Sequence, residues 1–125
     1  MKYGAIPIAK TALGAFAFGA VHGWGVCLSP YLNGQGSGSS CGSGSGAAAG
    51  IFPFALSEET AGSISGPAAS SFISGYLSSY GVLSRAGADL RAIEFDHLGM
   101  IANCLFSIHL YKFVVCYVEI VYIYS

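Results

Sequence analysis

Charge is what this sequence has least of. Only 9% of its 125 residues are Asp, Glu, Lys or Arg, against about 25% in ordinary soluble domains. None of these four types occurs between Lys10 and Glu58. Lys and Arg together number five and the net charge is −1. The chain therefore lacks the cations that neutralise phosphates, which excludes a nucleic-acid partner at this level. The cysteines, Cys27, Cys41, Cys104 and Cys116, form no CxxC pair and no tight framework. Neither a zinc ribbon nor a disulfide scaffold is indicated, and they read as small apolar residues. Beyond Ala102 there is no Ala, Gly, Pro, Asp or Arg, and all 18 glycines lie at or before Gly99.

What is present is mostly apolar. Hydrophobic residues make up 54% of the chain and the mean hydropathy is +0.62. A chain this short has much surface for its volume and needs polar cover. Here that cover is largely Ser and Gly, which favours a protein faced by lipid or by partners. Lys2 and Lys10 with the run "TALGAFAFGAV" outline a secretory signal peptide. The competing reading is a membrane helix, since residues 11–28, broken only by His22, reach the roughly 18 positions of a spanning candidate. Ala15, Gly19 and Gly23 recur every fourth residue and on a helix would let another backbone approach closely.

Pro30 ends that segment, and "GQGSGSSCGSGSG" over residues 34–46 has the composition of a flexible linker. The apolar "AAAGIFPFAL" reads as a partly buried loop or a short interfacial helix. The spacing then predicts a helix over 65–81. Ser65 can cap it, Pro67 suits the first turn, Phe72, Ile73, Tyr76, Leu77 and Tyr80 share a stripe, and Gly81 is a natural stop. Its other side carries Ser71, Gly75 and Ser79, a second small-residue packing stripe. Residues 84–98 hold most of the charge. Arg85 with Asp89 and Arg91 with Glu94 stand at helix-neighbour spacing, predicting a charged amphipathic helix.

Residues 100–124 are long and apolar enough to span a bilayer with some tilt. On a helix, His109, Lys112, Cys116 and Glu119 fall within an arc of about 80°. A single polar face on a greasy helix is expected where it meets a partner or a wet cavity, so His109, Lys112 and Glu119 are the candidate intramembrane polar contacts. The run "FVVCYVEIVYIY" is also rich in β-branched and aromatic residues, so this segment could be β instead.

Motifs for chemistry are weak. Gly38-Ser39-Ser40-Cys41-Gly42 matches G-x-S-x-G, but a nucleophile elbow needs a strand before it and a helix after it, and Ser40 lies in a Gly/Ser tract. Asp96 and His97 are adjacent, and adjacent helical side chains diverge. Gly44-Ser45-Gly46 with Ala49 is only part of a dinucleotide fingerprint, and no strand is predicted before it. His22, His97 and His109 match no zinc spacing.

These observations predict a mainly α protein, a small membrane hairpin or bundle of two to three hydrophobic helices with a Gly/Ser-rich loop. Its parts are an N-terminal hydrophobic segment (1–33), a linker (34–50), a small-residue helix plus charged helix (51–99), and a C-terminal membrane-like segment (100–125). The predicted role is that of a non-enzymatic accessory protein, located in a membrane and partnered by lipid and by a larger membrane complex or its own copies. No catalytic residue, cofactor or metal is assigned. The alternatives are a secreted Gly/Ser-rich structural protein and a weakly selected translation product.

Overall fold

The computed structural model describes residues 6–109 except Trp24 and Asn33. After an extended start, a 3-10 turn at Ala15–Ala17 leads to a small hairpin of β1 (Val21–His22) and β2 (Gly25–Val26). Helix α1 (Cys41–Ala48), strand β3 (Phe54–Glu59), helix α2 (Ser65–Ser70), and strands β4 (Ser74–Leu77) and β5 (His97–Ala102) follow. The last three strands form an antiparallel sheet in the order β3-β5-β4. Leu56 and Tyr76 both lie opposite Met100 across the central strand.

β5 is the hub because its side chains are buried on both faces. Ile101 packs with Ala47 of α1 and with Ile64 and Ala68 at α2. On the other face Met100 and Ala102 pack with Ile108, and Tyr76 closes over them. A strand buried on both sides reads as a continuous apolar run, and "LGMIA" is one. Its single glycine is required by space. A Cβ at Gly99 would overlap the Tyr76 carbonyl and come within 2.9 Å of Ile64 Cδ1. Ile64 is 1% exposed, and Ile64→Ala should lower the unfolding free energy by about 2–5 kcal/mol, read as an earlier urea midpoint at unchanged slope.

The mainly α membrane bundle is therefore corrected to an α/β layer built on antiparallel strands. Among the described residues no helix is long and apolar enough to cross a membrane. Residues 11–28 contain the 3-10 turn and the β1–β2 hairpin. Phe16, Ala17, Gly19 and Gly25 take positive φ there, which a continuing right-handed helix does not allow. The helix expected over 65–81 stops at Ser70, where the chain turns through Phe72 at φ 54°. The following "SGYL" pairs with β5 instead. The helix expected over 84–98 is a series of turns that runs into β5 at His97. Gly87 at φ 83° breaks it, and Arg85 leaves Asp89 for the ring of Tyr80, 4.2 Å away. Residues 100–102 belong to β5 and residues 105–109 are helical. The rest of the predicted C-terminal span lies outside the described residues.

The Gly/Ser tract is not a loop throughout, since α1 runs through it. Small residues are needed because α1 is wedged between two backbones. A Cβ at Gly44 would stand 2.9 Å from the Pro67 carbonyl oxygen, and one at Gly42 would collide with Ala12. Buried Cys41 joins Cys27 and Ala20 in a small satellite core beside the same helix. Burial, with Cys41 as neighbour, pushes the Cys27 thiol up to about 12.

Candidate active site

Three pieces of backbone converge on one cavity of about 1010 Å³. The first is the extended N-terminal segment, which contributes Lys10 and Thr11. The second is the turn into α1, which contributes Ser39 and Ser40, with Ser43 one turn further on. The third is β3 and the turn after it, which contribute Glu58, Thr60 and Ser63. Asp89 and Arg91 complete a charged wall, and Ile6, Phe52 and Leu56 belong to the apolar one.

Backbone hydrogen bonds hold the three pieces together. Gly14 N donates to the Ser39 carbonyl at 2.8 Å, and Gly42 N donates to the Ala12 carbonyl at 3.0 Å. Ser40 N donates to the Ser63 carbonyl at 3.3 Å, which joins the two serine-bearing turns directly. Ser43 and Thr11 share a hydroxyl–hydroxyl bond of 2.9 Å. Ser39, Ser40 and Ser43 are all buried.

Ser63 sits where a strand turns into a helix. β3 ends at Glu59, Gly62 takes φ 104°, and α2 begins at Ser65. The turn is fixed from within. Glu59 Oε2 accepts bonds from Ile64 N and Ser65 N at 2.7 Å each, and from Ser65 Oγ at 3.0 Å. Burial alone would push the Glu59 carboxyl up. The donors from Ser65 and Ile64 outweigh burial and hold the carboxyl below the ordinary glutamate value. Ser63 itself is half-buried and faces the cavity.

Among the described residues Asp96 is the most buried charged group, 0% exposed. It accepts from the Thr60 hydroxyl, from Arg91 N, and from Ala92 N at 2.8 Å. Burial works to raise its pKa, but these donors win and lower it. A depressed carboxyl contributes stability that is present above the ordinary aspartate value and lost as pH falls through the folded value. Asp96→Ala strands the Thr60 hydroxyl and two amides. It should cost roughly 2 kcal/mol and leave a shallower acid limb in a plot of urea midpoint against pH.

The structure scatters the residues singled out from the sequence. Ala15 is in the 3-10 turn, Gly19 and Gly23 lie in turns around β1, Ser71 follows α2, Gly75 is in β4, and Ser79 is in an exposed loop. They share no helix face. His109 is exposed, and its Nδ1 lies 3.0 Å from the Leu105 carbonyl oxygen. Lys112 and Glu119 lie outside the described residues. Among the described residues no three His, Cys, Asp or Glu side chains converge as a metal set would. Ser63 is the residue that sequence reasoning misses. Its signal is the run "FALSEE", a turn containing Gly62, and Pro67 in the next helix, the same strand–turn–helix order that Ser40 lacks.

Residues 1–118 match the family described as amidase. The chain belongs to the amidase family. Similar relatives of this amidase chain include the A subunit of the glutamyl-tRNA(Gln) amidotransferase of Treponema pallidum, 38% identical over 112 residues that cover 86% of this chain and 22% of that protein. Its namesake from Endomicrobium trichonymphae is 36% identical, covering 80% of this chain and 21% of its own. That from Mycoplasma pneumoniae is 32% identical, covering 86% and 23%. This amidase chain thus spans about a fifth of the length of the curated relatives it matches.

Four expectations are overturned by this membership. The accessory membrane protein, with its secreted and weakly selected alternatives, gives way to a catalytic family, and the non-enzyme reading goes with it. The membrane location and the lipid and membrane-complex partners are corrected by the same membership and by the relatives it brings, and among the described residues no helix is long and apolar enough to cross a bilayer. The exclusion of nucleic acid does not stand either. The relatives are, by name, subunits of a glutamyl-tRNA(Gln) amidotransferase.

Proposed function

We propose that this chain carries the nucleophile of an amide-bond-cleaving or amide-transferring enzyme, and that Ser63 is that nucleophile. The observation that carries the reading is the strand–turn–helix around Ser63, with Ser63 lining the cavity and the turn clamped by Glu59. A serine on a sharp turn between a strand and a helix presents Oγ clear of its own backbone. The amidase family match supplies the bond type.

In this mechanism Ser63 Oγ attacks the amide carbonyl carbon and its proton passes, by way of the neighbouring serine hydroxyls, to the amide nitrogen that departs. The tetrahedral species collapses with loss of the C–N bond, the departing amine or ammonia takes up a proton, and an acyl ester remains on Ser63. Water or a second amine then attacks the ester and restores the hydroxyl. The Ser40 hydroxyl is on the turn bonded to the Ser63 carbonyl, and Ser39 is beside it. These hydroxyls are suited to relay the proton as it leaves. Lys10 and Arg91 bring positive charge to the same cavity, favouring the oxyanion that develops on the carbonyl oxygen. The relatives are each named as one component of a multi-chain enzyme, which supports action within a larger assembly.

A serine-directed fluorophosphonate tests the assignment. After digestion and mass mapping, the adduct is expected on the peptide containing Ser63. An adduct on Ser40 with none on Ser63 would overturn it.

A further inference from the structure

Among the described residues, Ser57 Oγ, Glu58 Oε1 and His97 Nδ1 are buried side-chain atoms without a hydrogen-bond partner, and Glu58 is the acid among them. Glu58 stands on β3 opposite Leu98 of β5. It is two residues before Thr60, the residue that follows β3, and in extended chain that spacing turns two side chains to the same side. That side is the one where Thr60 bonds Asp96. The donors around Asp96 are already committed, the Thr60 hydroxyl to one carboxylate oxygen and the Arg91 and Ala92 amides to the other.

An ionised Glu58 would therefore place a second negative charge beside a fully buried carboxylate, with no donor of its own to offset it. Two carboxyls in that relation do not both ionise at neutral pH. The neutral acid resolves both problems, because its O–H can point to Asp96. We propose that Glu58 and Asp96 share one proton and together latch the Asp89–Ala92 wall of the cavity to the end of β3, so that loss of that proton loosens the wall.

The surrounding charges fit. Burial and then Asp96 push the Glu58 carboxyl above its ordinary value, Arg91 opposes them, and Asp89 adds a smaller push upward. Asp89 is itself paired with Arg91 at 3.0 Å. On β5 the neighbouring titratable group is His97, opposite Glu59 on the other face of the sheet, and the Glu59 carboxylate is occupied by α2. Helix α1, packed on β3, brings no ionisable side chain except Cys41. Lys10 lines the same cavity.

The consequence for the cavity is direct. Asp89 and Arg91 form its charged wall, and the loop carrying them is tied down by the hydrogen bonds that the Arg91 and Ala92 amides donate to Asp96. A group with a raised folded pKa contributes stability below its unfolded value and loses it as pH rises through the folded one. Those hydrogen bonds are the links that weaken when the second charge appears.

Hydrogen exchange at the Arg91 and Ala92 amides of the full chain, corrected for intrinsic base catalysis and followed between roughly pH 5 and pH 9, tests this. The protection of both amides is expected to fall by about tenfold or more as Glu58 ionises, which corresponds to one pKa unit of coupling. Glu58→Gln keeps a donor and cannot titrate, so its protection should stay level. Protection in the unaltered chain that does not change with pH, or a Glu58→Gln chain that loses it in parallel, would overturn the proposal. A carboxyl-carbon NMR titration decides independently of that variant. A Glu58 midpoint above the ordinary glutamate value supports the latch, and one at or below it overturns it.

Discussion

Ser63→Ala should lower the rate of amide cleavage by about 10⁴-fold or more while shifting the unfolding free energy by no more than about 0.5 kcal/mol. The two halves of that expectation come from the same geometry. The Ser63 turn is held by its backbone carbonyl, through Ser40 N, and by Glu59 acting on Ile64 and Ser65. None of those bonds uses the Ser63 hydroxyl, so removing Oγ leaves the clamp in place. What it removes is the atom that attacks, and nucleophile loss is among the most costly single changes in a serine-based enzyme. Ser79→Ala is the control, since Ser79 lies in an exposed loop outside the cavity, and its rate should match the parent chain. Steady-state rates on a chromogenic amide, with urea curves for each variant, separate lost chemistry from lost fold.

Gly38→Ala should lower the unfolding free energy by about 3 kcal/mol. A Cβ at Gly38 would overlap the Gly19 carbonyl and crowd Ala20 N at 2.7 Å. Both obstacles are backbone, so neither can swing aside as a long side chain would. Relief requires the Gly38–Ser40 turn to move away from the β1–β2 region. Ser39 and Ser40 would be carried with it, out of the position where Ser40 N meets Ser63. The variant should therefore show an earlier urea midpoint and a slower fluorophosphonate reaction at Ser63. A variant that stayed as stable as the parent chain would show that the approach of these two segments is looser than described.

The parts of this fold that can be read from the sequence are those where local chemistry and tertiary structure agree. α2 does begin at Ser65 with Pro67 in its first turn, but Ile64 occupies the cap position, and the Ser65 hydroxyl bonds Glu59 instead of capping the helix. Its end is ambiguous locally, because Phe72, Ile73, Tyr76 and Leu77 satisfy helical spacing while "SGYL" also satisfies a strand. The choice is made by β5, twenty residues further along, which no local window contains. The Gly/Ser tract misleads for the opposite reason. Its composition favours flexible chain in isolation, but packing against Pro67 and Ala12 selects for those same small residues in a helix. Tertiary contact overrides propensity there, as it commonly does.

The membrane reading arises from a real property. Ile6, Phe16, Phe18 and Phe106 are each at least 75% exposed, so this chain does present much apolar surface. Hydropathy counts such residues without saying what covers them. For the site, the requirement of a strand before and a helix after a nucleophilic serine is the right one, but it fails at Ser40, where α1 follows and no strand immediately precedes. With "FALSEE" as a strand, Ser63 meets the same requirement. Glu58 and Asp96 cannot be paired from sequence, because only the β3–β5 register brings them to one face.

The central claim is that Ser63 carries the acyl group after the amide bond breaks. Acid quench of the enzyme during turnover of a slow amide substrate, followed by peptide mass analysis, measures this directly. The peptide containing Ser63 should gain the mass of the acyl group as a hydroxylamine-labile ester. Acylation confined to another residue, or turnover with no ester at Ser63 under conditions where deacylation is rate-limiting, would contradict the account.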